Sequence, residues 1–391
     1  MDKGRFEVEE IREGLATILT PRLETYRQGP EEYVPSRAPV FYNPLMKENR
    51  DLAIAFLRAL RPGSRGSLFL GEPLTGTGVR GIRAVLEADI EHAWINDISN
   101  EAAEMAEKNV RMNGIADKVT VENKDANVFD LVHSNQFNYL DLDPFGSPAP
   151  FLNSAVQAVR DGGLIAVTAT DTATLCGVYP EKAMARYGGR SIKTIFPKEF
   201  AARLLIYAIV GAAAKIELGA RPLLAYASRH YIRAYCQLRR GNRRARDAID
   251  ETGHVLYCKG CFHREGLKRG GLGELPNIAC PICGKRRELA GPIWLGPHSD
   301  QAWVQLISSR AADVPLEMKI RRMLGRLSLE DTGIIGSYPV AKISQYCRRS
   351  PPGRERLLEG LRAIGINACE ATFEENAIKT AADINQILGA F

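Results

Sequence analysis

Tyr139-Leu140-Asp141-Leu142-Asp143-Pro144-Phe145-Gly146 decides the reading of this chain. An apolar run rich in strand formers ends abruptly at Asp143, and Pro144 has no N–H for a ladder, so it cannot continue a central strand. The chain leaves the sheet there. It carries a carboxylate, a proline carbonyl and an aromatic face into the crevice at the strand ends, where open α/β sheets bind their ligands. Those three groups suit a flat base with an exocyclic amine: the carboxylate and carbonyl accept the amine hydrogens and the ring stacks. Asp-Pro is also a common exit from strand to loop.

Upstream, Gly66–Gly71 reads as a short buried strand. It is followed by Glu72-Pro73-Leu74-Thr75-Gly76-Thr77-Gly78-Val79-Arg80-Gly81 and a helical run to Ala88. Glycines between a strand and a helix let a ligand approach the backbone at a helix N-terminus. Gly76, Gly78 and Gly81 fit G-x-G-x-x-G, and Asp97 follows about 20 residues on, where a ribose-binding acid belongs. That is the dinucleotide fingerprint, and it keeps a nicotinamide-dependent oxidoreductase open as a reading. A dinucleotide turn, however, usually places its first glycine directly after the strand. Here Glu72 sits at the strand end, four residues before Gly76. That spacing looks like the first motif of S-adenosylmethionine methyltransferases, acid-x-Gly-x-Gly-x-Gly, with Leu74 replacing one glycine.

The rest of the first half alternates strand and helix patterns: strands at His92–Asn96, Val119–Glu122, Phe137–Leu142 and Leu164–Thr168, with a helix from Ser99 to Asn113. Such alternation argues for a parallel doubly wound sheet. Ser99 suits an N-cap, and Asp125 stands at the end of the third strand, where a carboxylate can accept an adenine amine. After a helical stretch near Lys198–Leu218, Pro222–Leu238 reads as two alternating runs broken at Ser228-Arg229-His230, a hairpin. A parallel sheet that closes with an antiparallel hairpin resembles the seven-stranded, Rossmann-like class I methyltransferase fold.

Taken together, the chain resembles the tRNA (guanine-N2-)-dimethyltransferase family, which methylates the exocyclic amine of the guanine at tRNA position 26 with S-adenosylmethionine. The matching stretches run in order from about residue 40 to about 300: Val40–Pro44, Asn49–Asp51, Thr77–Arg83, Asn96–Ser99, Asp125–Asn127, Asp141–Pro148, Val167–Asp171, Leu175–Gly177 and Gly291–Pro297. The resemblance implies an enzyme of EC class 2.1.1. Asp143 would accept a guanine amine proton beside Pro144, and Phe145 would stack on the flipped base. Asp97 and Ile98 would hold the cofactor ribose side. Glu72, Thr75, Gly76, Thr77 and Gly78 would form the cofactor turn, with Phe41 and Arg50 lining the pocket beside Asp125 and Ala126. Without the family, Phe41 reads as core and Arg50 as a solvated position on a helix starting near Met46.

At 391 residues the chain is long enough for two domains. The expected division is a methyltransferase domain with an N-terminal extension over 1–240, and a smaller α+β, tRNA-binding domain over 241–391. Net charge is +6 and is unevenly spread. From Arg239 onward there are 24 Lys and Arg against 17 Asp and Glu, whereas the preceding residues hold 28 against 29. Arg243, Arg244 and Arg246 lie at the boundary and look like a phosphate-contacting linker; a solubilising face is the bland alternative.

Cys258, Cys261, Cys280 and Cys283 form two C-x2-C pairs separated by 18 residues, the spacing of a structural four-cysteine zinc site. Gly260 and Gly284 are expected to permit the knuckle turns, and His263 to sit at the surface. Cys176, Cys236, Cys347 and Cys369 read as packing thiols. The tail from Val340 reads as two helices, an extended stretch, a wing strand near Ile378–Ala381 and a last helix, a winged-helix-like pattern. With a charged N-terminus, no long apolar stretch and unpaired cysteines, the expectation is a cytoplasmic monomer with tRNA as its partner and no membrane association. A non-catalytic RNA-binding protein with a retained methyltransferase fold is the second rival; Asp97 and Asp143 weigh against it.

Overall fold

The computed structural model describes residues 6–27, 34–60, 67–268, 278–311, 314–350 and 352–390. The chain forms two compact units, one of Met1–Asp143, Asn153–Ala166 and Leu306–Arg321, the other of Pro144–Leu152, Val167–Gln305 and Arg322–Phe391.

The first unit opens on an antiparallel hairpin, β1 (Val8–Glu13) and β2 (Ala16–Pro21). Then come α1 (Lys47–Leu60), β3 (Phe69–Glu72), α2 (Val79–Ala88), β4 (His92–Asn96), α3 (Asn100–Met112), β5 (Val119–Glu122), α4 (Ala126–Val132), β6 (Phe137–Leu142) and α5 (Leu152–Ala158). The strand predicted over Gly66–Gly71 is displaced toward the turn, so Glu72 is its last residue; Gly66 lies outside the described residues. β3 pairs parallel with β4 and β6, and β4 with β5. Strand β7 (Val159–Ala169) is longer than the Leu164–Thr168 run and includes Gly162 and Gly163. β8 (Leu218–Ser228) and β9 (Tyr231–Arg240) form the expected antiparallel hairpin, turning at Arg229 with φ 48°. The seven-stranded α/β sheet has the order β5-β4-β3-β6-β7-β9-β8.

Local chemistry sets the helix starts. Ser99 Oγ accepts from the Ala102 N–H at 3.3 Å and caps α3. Asp125 Oδ1 accepts from Asn127 at 2.9 Å and Val128 at 3.4 Å and caps α4. On α3 the buried Asn109 amide donates to the carbonyls of Leu19 at 3.1 Å and Thr77 at 2.8 Å, tying the N-terminal hairpin to the glycine turn. β6 is central, and Tyr139, Leu140, Asp141 and Leu142 are at most 1% exposed. A strand covered on both faces needs no alternation, which is why its apolar run is nearly continuous.

In the second unit, α6 (Thr172–Leu175), α7 (Pro180–Tyr187) and α8 (Pro197–Ala214) precede the β8–β9 hairpin, and α9 (Asn242–Asp250) follows it. A three-stranded antiparallel sheet has the order β11-β10-β12, from β10 (Thr252–Tyr257), β11 (Arg264–Lys268) and β12 (Glu288–Trp294). Helices α10 (Gln301–Arg310) and α11 (Met318–Leu327), which overlap the Leu306–Arg321 segment of the first unit, lead along the chain to the tail. There β13 (Tyr338–Pro339), α12 (Val340–Cys347), α13 (Arg354–Ala363), β14 (Ala368–Glu370), β15 (Ala377–Thr380) and α14 (Ile384–Leu388) follow the expected element order. The strands pair as β13-β15-β14.

This unit encloses a charged cluster. Lys379 Nζ, fully buried, donates to Glu330 Oε1 at 2.8 Å and Glu199 Oε2 at 3.1 Å, and lies 3.3 Å from His298 Nε2. Arg203 donates to Glu199 Oε1 at 2.8 Å and to the carbonyls of Gly296 at 2.8 Å and Thr332 at 3.0 Å. Burial alone raises the Glu330 carboxyl, but Lys379 and His298 outweigh it and bring it down to about 2. The Glu330 carboxylate therefore stays ionised, and the cluster stitches α8, β15 and two loops together. Lys379→Met should leave Glu199 and Glu330 without their ammonium partner and destabilise this unit by about 3–5 kcal/mol. Urea unfolding should show that loss, whereas Lys342→Met on the exposed face of α12 should change the midpoint little.

Candidate active site

Glu72 ends β3 inside the protein, 3% exposed. Its Oε2 accepts from Thr75 Oγ1 at 2.8 Å and from the Gly81 N–H at 3.0 Å, so the acid pins both ends of the glycine turn. Gly76 at φ 56° and Gly78 at φ 80° occupy the left-handed region, and a Cβ on Gly76 would lie 2.6 Å from the Phe41 carbonyl oxygen. The turn therefore requires glycine for both conformation and space. Asp97, at the end of β4, accepts from the Gly76 N–H at 2.9 Å through Oδ2 and from the Ser99 N–H at 3.0 Å through Oδ1. Ile98 beside it is 66% exposed. Asp125 is exposed and Ala126 buried at the start of α4.

These residues fit a nucleoside-bearing cofactor. Phe41 is 43% exposed rather than core. Thr77 Oγ1, in the turn, and Asn49 Nδ2 are buried without a hydrogen-bond partner among the described residues. Arg50 departs from the solvated reading: it is 5% exposed, with Nε 2.7 Å from Glu13 Oε1 and Nη2 2.6 Å from Glu13 Oε2. Its partner comes from β1, a hairpin that the sequence pattern did not disclose.

Asp143 follows directly on β6. Its Oδ2 accepts from Arg80 Nη2. Arg80, 4% exposed, also donates to Asn49 Oδ1 at 2.9 Å and lies 3.3 Å from Asp141 Oδ2 and 3.7 Å from Glu72 Oε1. The sequence reading missed Arg80 as a site residue. A signal was present: a cation in the first turn of α2 opposes the helix dipole and calls for carboxylates nearby.

Beyond Asp143 the loop is firmly held. The Gly146 N–H donates to Thr170 Oγ1 at 2.7 Å, and the Thr170 N–H returns to the Gly146 carbonyl at 2.9 Å. Ser147 Oγ donates to the Tyr187 hydroxyl at 2.9 Å, which in turn donates to Asp171 Oδ1 at 2.5 Å. Within this anchored loop Phe145 is 75% exposed.

The four cysteines converge as their spacing predicted. Cys258 and Cys283 sulfurs lie 3.5 Å apart, those of Cys261 and Cys280 3.4 Å, and all four fall within 4.8 Å of one another. A tetrahedral ion with Zn–S bonds of ~2.3 Å separates its sulfurs by ~3.8 Å, so the cluster is compatible with structural zinc. The two knuckles repeat one geometry. Phe262 and Gly284 donate back to Cys258 and Cys280 at 2.8 and 2.9 Å, and Cys258 and Cys280 donate to His263 and Lys285, both at 2.8 Å. In each, the residue after the second cysteine is left-handed: Phe262 at φ 63° and Gly284 at φ 70°. Gly284 thus does what was expected of it, whereas Phe262 takes the role assigned to Gly260. His263 is half-buried rather than at the surface.

Arg243, Arg244 and Arg246 are exposed on α9. Arg244 lines a cleft of about 520 Å³ with Arg221 and Arg239. Among the described residues no helix is long and apolar enough to cross a membrane. Elemental analysis of protein purified without chelator should find zinc bound at the four cysteines. Cys280→Ser should lower that content and the melting temperature of the second unit; metal-free wild-type protein with unchanged stability would refute the site.

Residues 14–391 match the family described as N2,N2-dimethylguanosine tRNA methyltransferase. The chain is similar to the tRNA (guanine(26)-N(2))-dimethyltransferase of Thermococcus kodakarensis, 34% identical over 390 residues that cover 96% of both chains. It is 32% identical over 381 residues to that of Methanothermobacter thermautotrophicus, covering 96% of this chain and 97% of the relative. Among solved structures it is similar to the complex of Trm1 from Pyrococcus horikoshii with S-adenosyl-L-methionine, with TM-score 0.85 and 30% identity, covering 98% of this chain and 99% of that one. With the sheet, the glycine turn and the strand-end carboxylate in place, the chain belongs to the N2,N2-dimethylguanosine tRNA methyltransferase family.

Proposed function

We propose that this chain transfers methyl groups from S-adenosylmethionine to the N2 amine of the guanine at tRNA position 26, giving N2-methyl- and then N2,N2-dimethylguanosine. The observation that carries the reading is the end of β6, where Asp143 is followed by a proline and by a phenylalanine 75% exposed on an anchored loop. The names of the relatives and the cofactor of the Pyrococcus horikoshii structure support the donor and the acceptor.

When bound, the cofactor supplies an electrophilic sulfonium methyl group. The guanine N2 lone pair is delocalised into the ring, so the amine is a poor nucleophile. As the nitrogen bonds carbon it becomes tetrahedral and acidic. Asp143 accepts a hydrogen bond from it, stabilises the developing charge and takes the proton. Once Asp143 has released that proton to solvent, its carboxylate can accept from the one N–H the monomethylated amine keeps, in a second round. The base is unreachable while stacked, so it is extruded, and Phe145 replaces its lost stacking. The Pro144 carbonyl is a second acceptor for the amine.

The cofactor assignment runs through Phe41, Arg50, Glu72, Thr75, Gly76, Thr77, Gly78, Asp97, Ile98, Asp125 and Ala126. Glycine conformation, the Asp97 carboxylate and the unpartnered Thr77 hydroxyl support it. In this division of labour residues 1–240 perform the chemistry and residues 241–391 hold the tRNA in the cytoplasm. Arg243, Arg244 and Arg246 contact its phosphates, a role supported by their exposure and by the basic excess that begins at Arg239.

Asp143→Ala should lower single-turnover methyl transfer to unmodified tRNA by roughly 10²–10⁴-fold, the usual loss for a positioned general base, with S-adenosylmethionine affinity retained. Near wild-type turnover would remove Asp143 from the mechanism. Replacing Arg243, Arg244 and Arg246 together with Ala should weaken tRNA binding and flatten the log–log salt slope by roughly 2–3. Dissociation constants across a salt series check this; an unchanged slope places the grip elsewhere.

A further inference from the structure

The carboxylate at the end of β6 is held asymmetrically. Asp143 Oδ2 is engaged by Arg80 Nη2. Oδ1 makes no hydrogen bond or ion pair among the described residues, although the side chain is only 18% exposed. Arg80 is itself immobilised. It is 4% exposed, and Asn49 Oδ1 takes a hydrogen bond from Nη1 at 2.9 Å. Asp141 Oδ2, 3.3 Å from Nη1, is fixed in turn by the Tyr139 hydroxyl at 2.8 Å. On its other side the guanidinium faces Glu72, the acid that pins the glycine turn.

We infer that Arg80 is the positioning residue of the methyl-transfer site: its guanidinium holds Asp143 by Oδ2 and so presents Oδ1, the oxygen without a partner, to the amine of the flipped guanine. The inference rests on Asp143 being the proton acceptor. A carboxylate on a strand-end loop rotates about two side-chain bonds, and only one orientation aims an unshared lone pair at the incoming N–H. A planar fork anchored on Asn49 and Asp141 selects that orientation before substrate arrives. Arginine suits the task better than lysine, because several donors in one plane engage Asn49 and Asp143 simultaneously, whereas an ammonium is a single point. The same guanidinium passes 3.7 Å from Glu72, the residue that pins the glycine turn, so the acceptor is set close to that turn. Dimethylation makes a repeated demand on this arrangement, since the second transfer must find the one remaining N–H of a bulkier amine.

The test compares Arg80→Met, Arg80→Lys, Asp143→Asn and the Arg80→Met/Asp143→Asn double variant in single-turnover methyl transfer to unmodified tRNA, with S-adenosylmethionine and tRNA affinities measured on each. Arg80→Met should lower the transfer rate by roughly 10²-fold, the scale of an ångström-level misplacement, while both affinities stay within about three-fold. Arg80→Lys should recover part of that loss. In the Asp143→Asn background the Arg80→Met change should cost less than about three-fold, because a residue that acts through Asp143 has nothing left to position. Additive losses in the double variant, or a wild-type rate in Arg80→Met, would overturn the inference while leaving Asp143 in place. A wild-type rate in Asp143→Ala would instead remove the acceptor itself and this inference with it. If Arg80→Met fails to fold or to bind cofactor, Arg80→Lys carries the test: a lowered rate at unchanged affinities supports the positioning role, and an unchanged rate refutes it.

Discussion

One guanidinium stands among three carboxylates at the strand ends, and the geometry of the site follows from how that imbalance is resolved. Arg80 faces Asp143, Asp141 and Glu72, and a single positive charge cannot neutralise three acids, two of them buried. Glu72 is the most distant of the three at 3.7 Å, and it is fully enclosed. Burial, the largest influence, pushes its carboxyl up to about 8 against the pull of Arg80, and Asp141 adds to the rise. Burial thus favours the protonated form of Glu72, and the guanidinium lies nearer to Asp143 and Asp141. A neutral Glu72 still accepts from Thr75 and Gly81, so the glycine turn keeps its anchor without a further charge beside it.

A second layer of charge supports this one from behind. Glu13, at the end of the N-terminal hairpin, takes Arg50 and Arg83 together, and Tyr42 donates its hydroxyl to the same carboxylate at 2.8 Å. Burial raises Glu13, but Arg50 and then Arg83 outweigh it and bring it down to about 2. The Glu13 carboxylate is thus ionised at any physiological pH. The stability it contributes is present above the ordinary carboxylate range, near 4.5, and is lost as pH falls toward 2. Arg83 also reaches Asp51 at 2.7 Å and Glu87 at 2.7 Å, which fastens α1 and α2 to the hairpin. The orientation of Arg50, and of the segment that carries Phe41 and Asn49, thus depends on β1 and β2.

What the sequence disclosed and what it hid divide along physical lines. Local rules were legible. Pro144 ends a central strand, Ser99 and Asp125 cap helices, paired cysteines at fixed spacing converge, and glycines mark a turn that a Cβ would obstruct. Each depends on residues close in the chain. Arg80, Glu13 and Lys379 were not legible as site or core residues, because a charged side chain reads as solvent-exposed until its partner is known. The partners lie far off in sequence: Glu13 is 70 residues from Arg83, and Lys379 is 180 from Glu199. The hairpin β1–β2 escaped for a related reason, since its exposed face alternates charge without a strong apolar run. Phe262 misled in the opposite direction. A left-handed residue is expected to be glycine, yet the hydrogen bonds of the zinc-knuckle geometry hold a phenylalanine there.

The exposure of Phe145 gains its meaning from this background of fixed charges. A single exposed apolar side chain is ordinary on a protein surface. This one sits between a proline and a glycine, on a loop fastened through Thr170 to β7 and through Ser147 to Tyr187 and Asp171. A loop free to move would fold the ring inward and recover roughly 2 kcal/mol of burial. The hydrogen bonds that prevent this keep the aromatic face in water before substrate arrives. The ordering entropy of the loop is then spent in folding rather than in binding. In the proposed reaction an extruded base would meet a ring already in place, and the burial withheld from the free protein would offset the loss of base stacking.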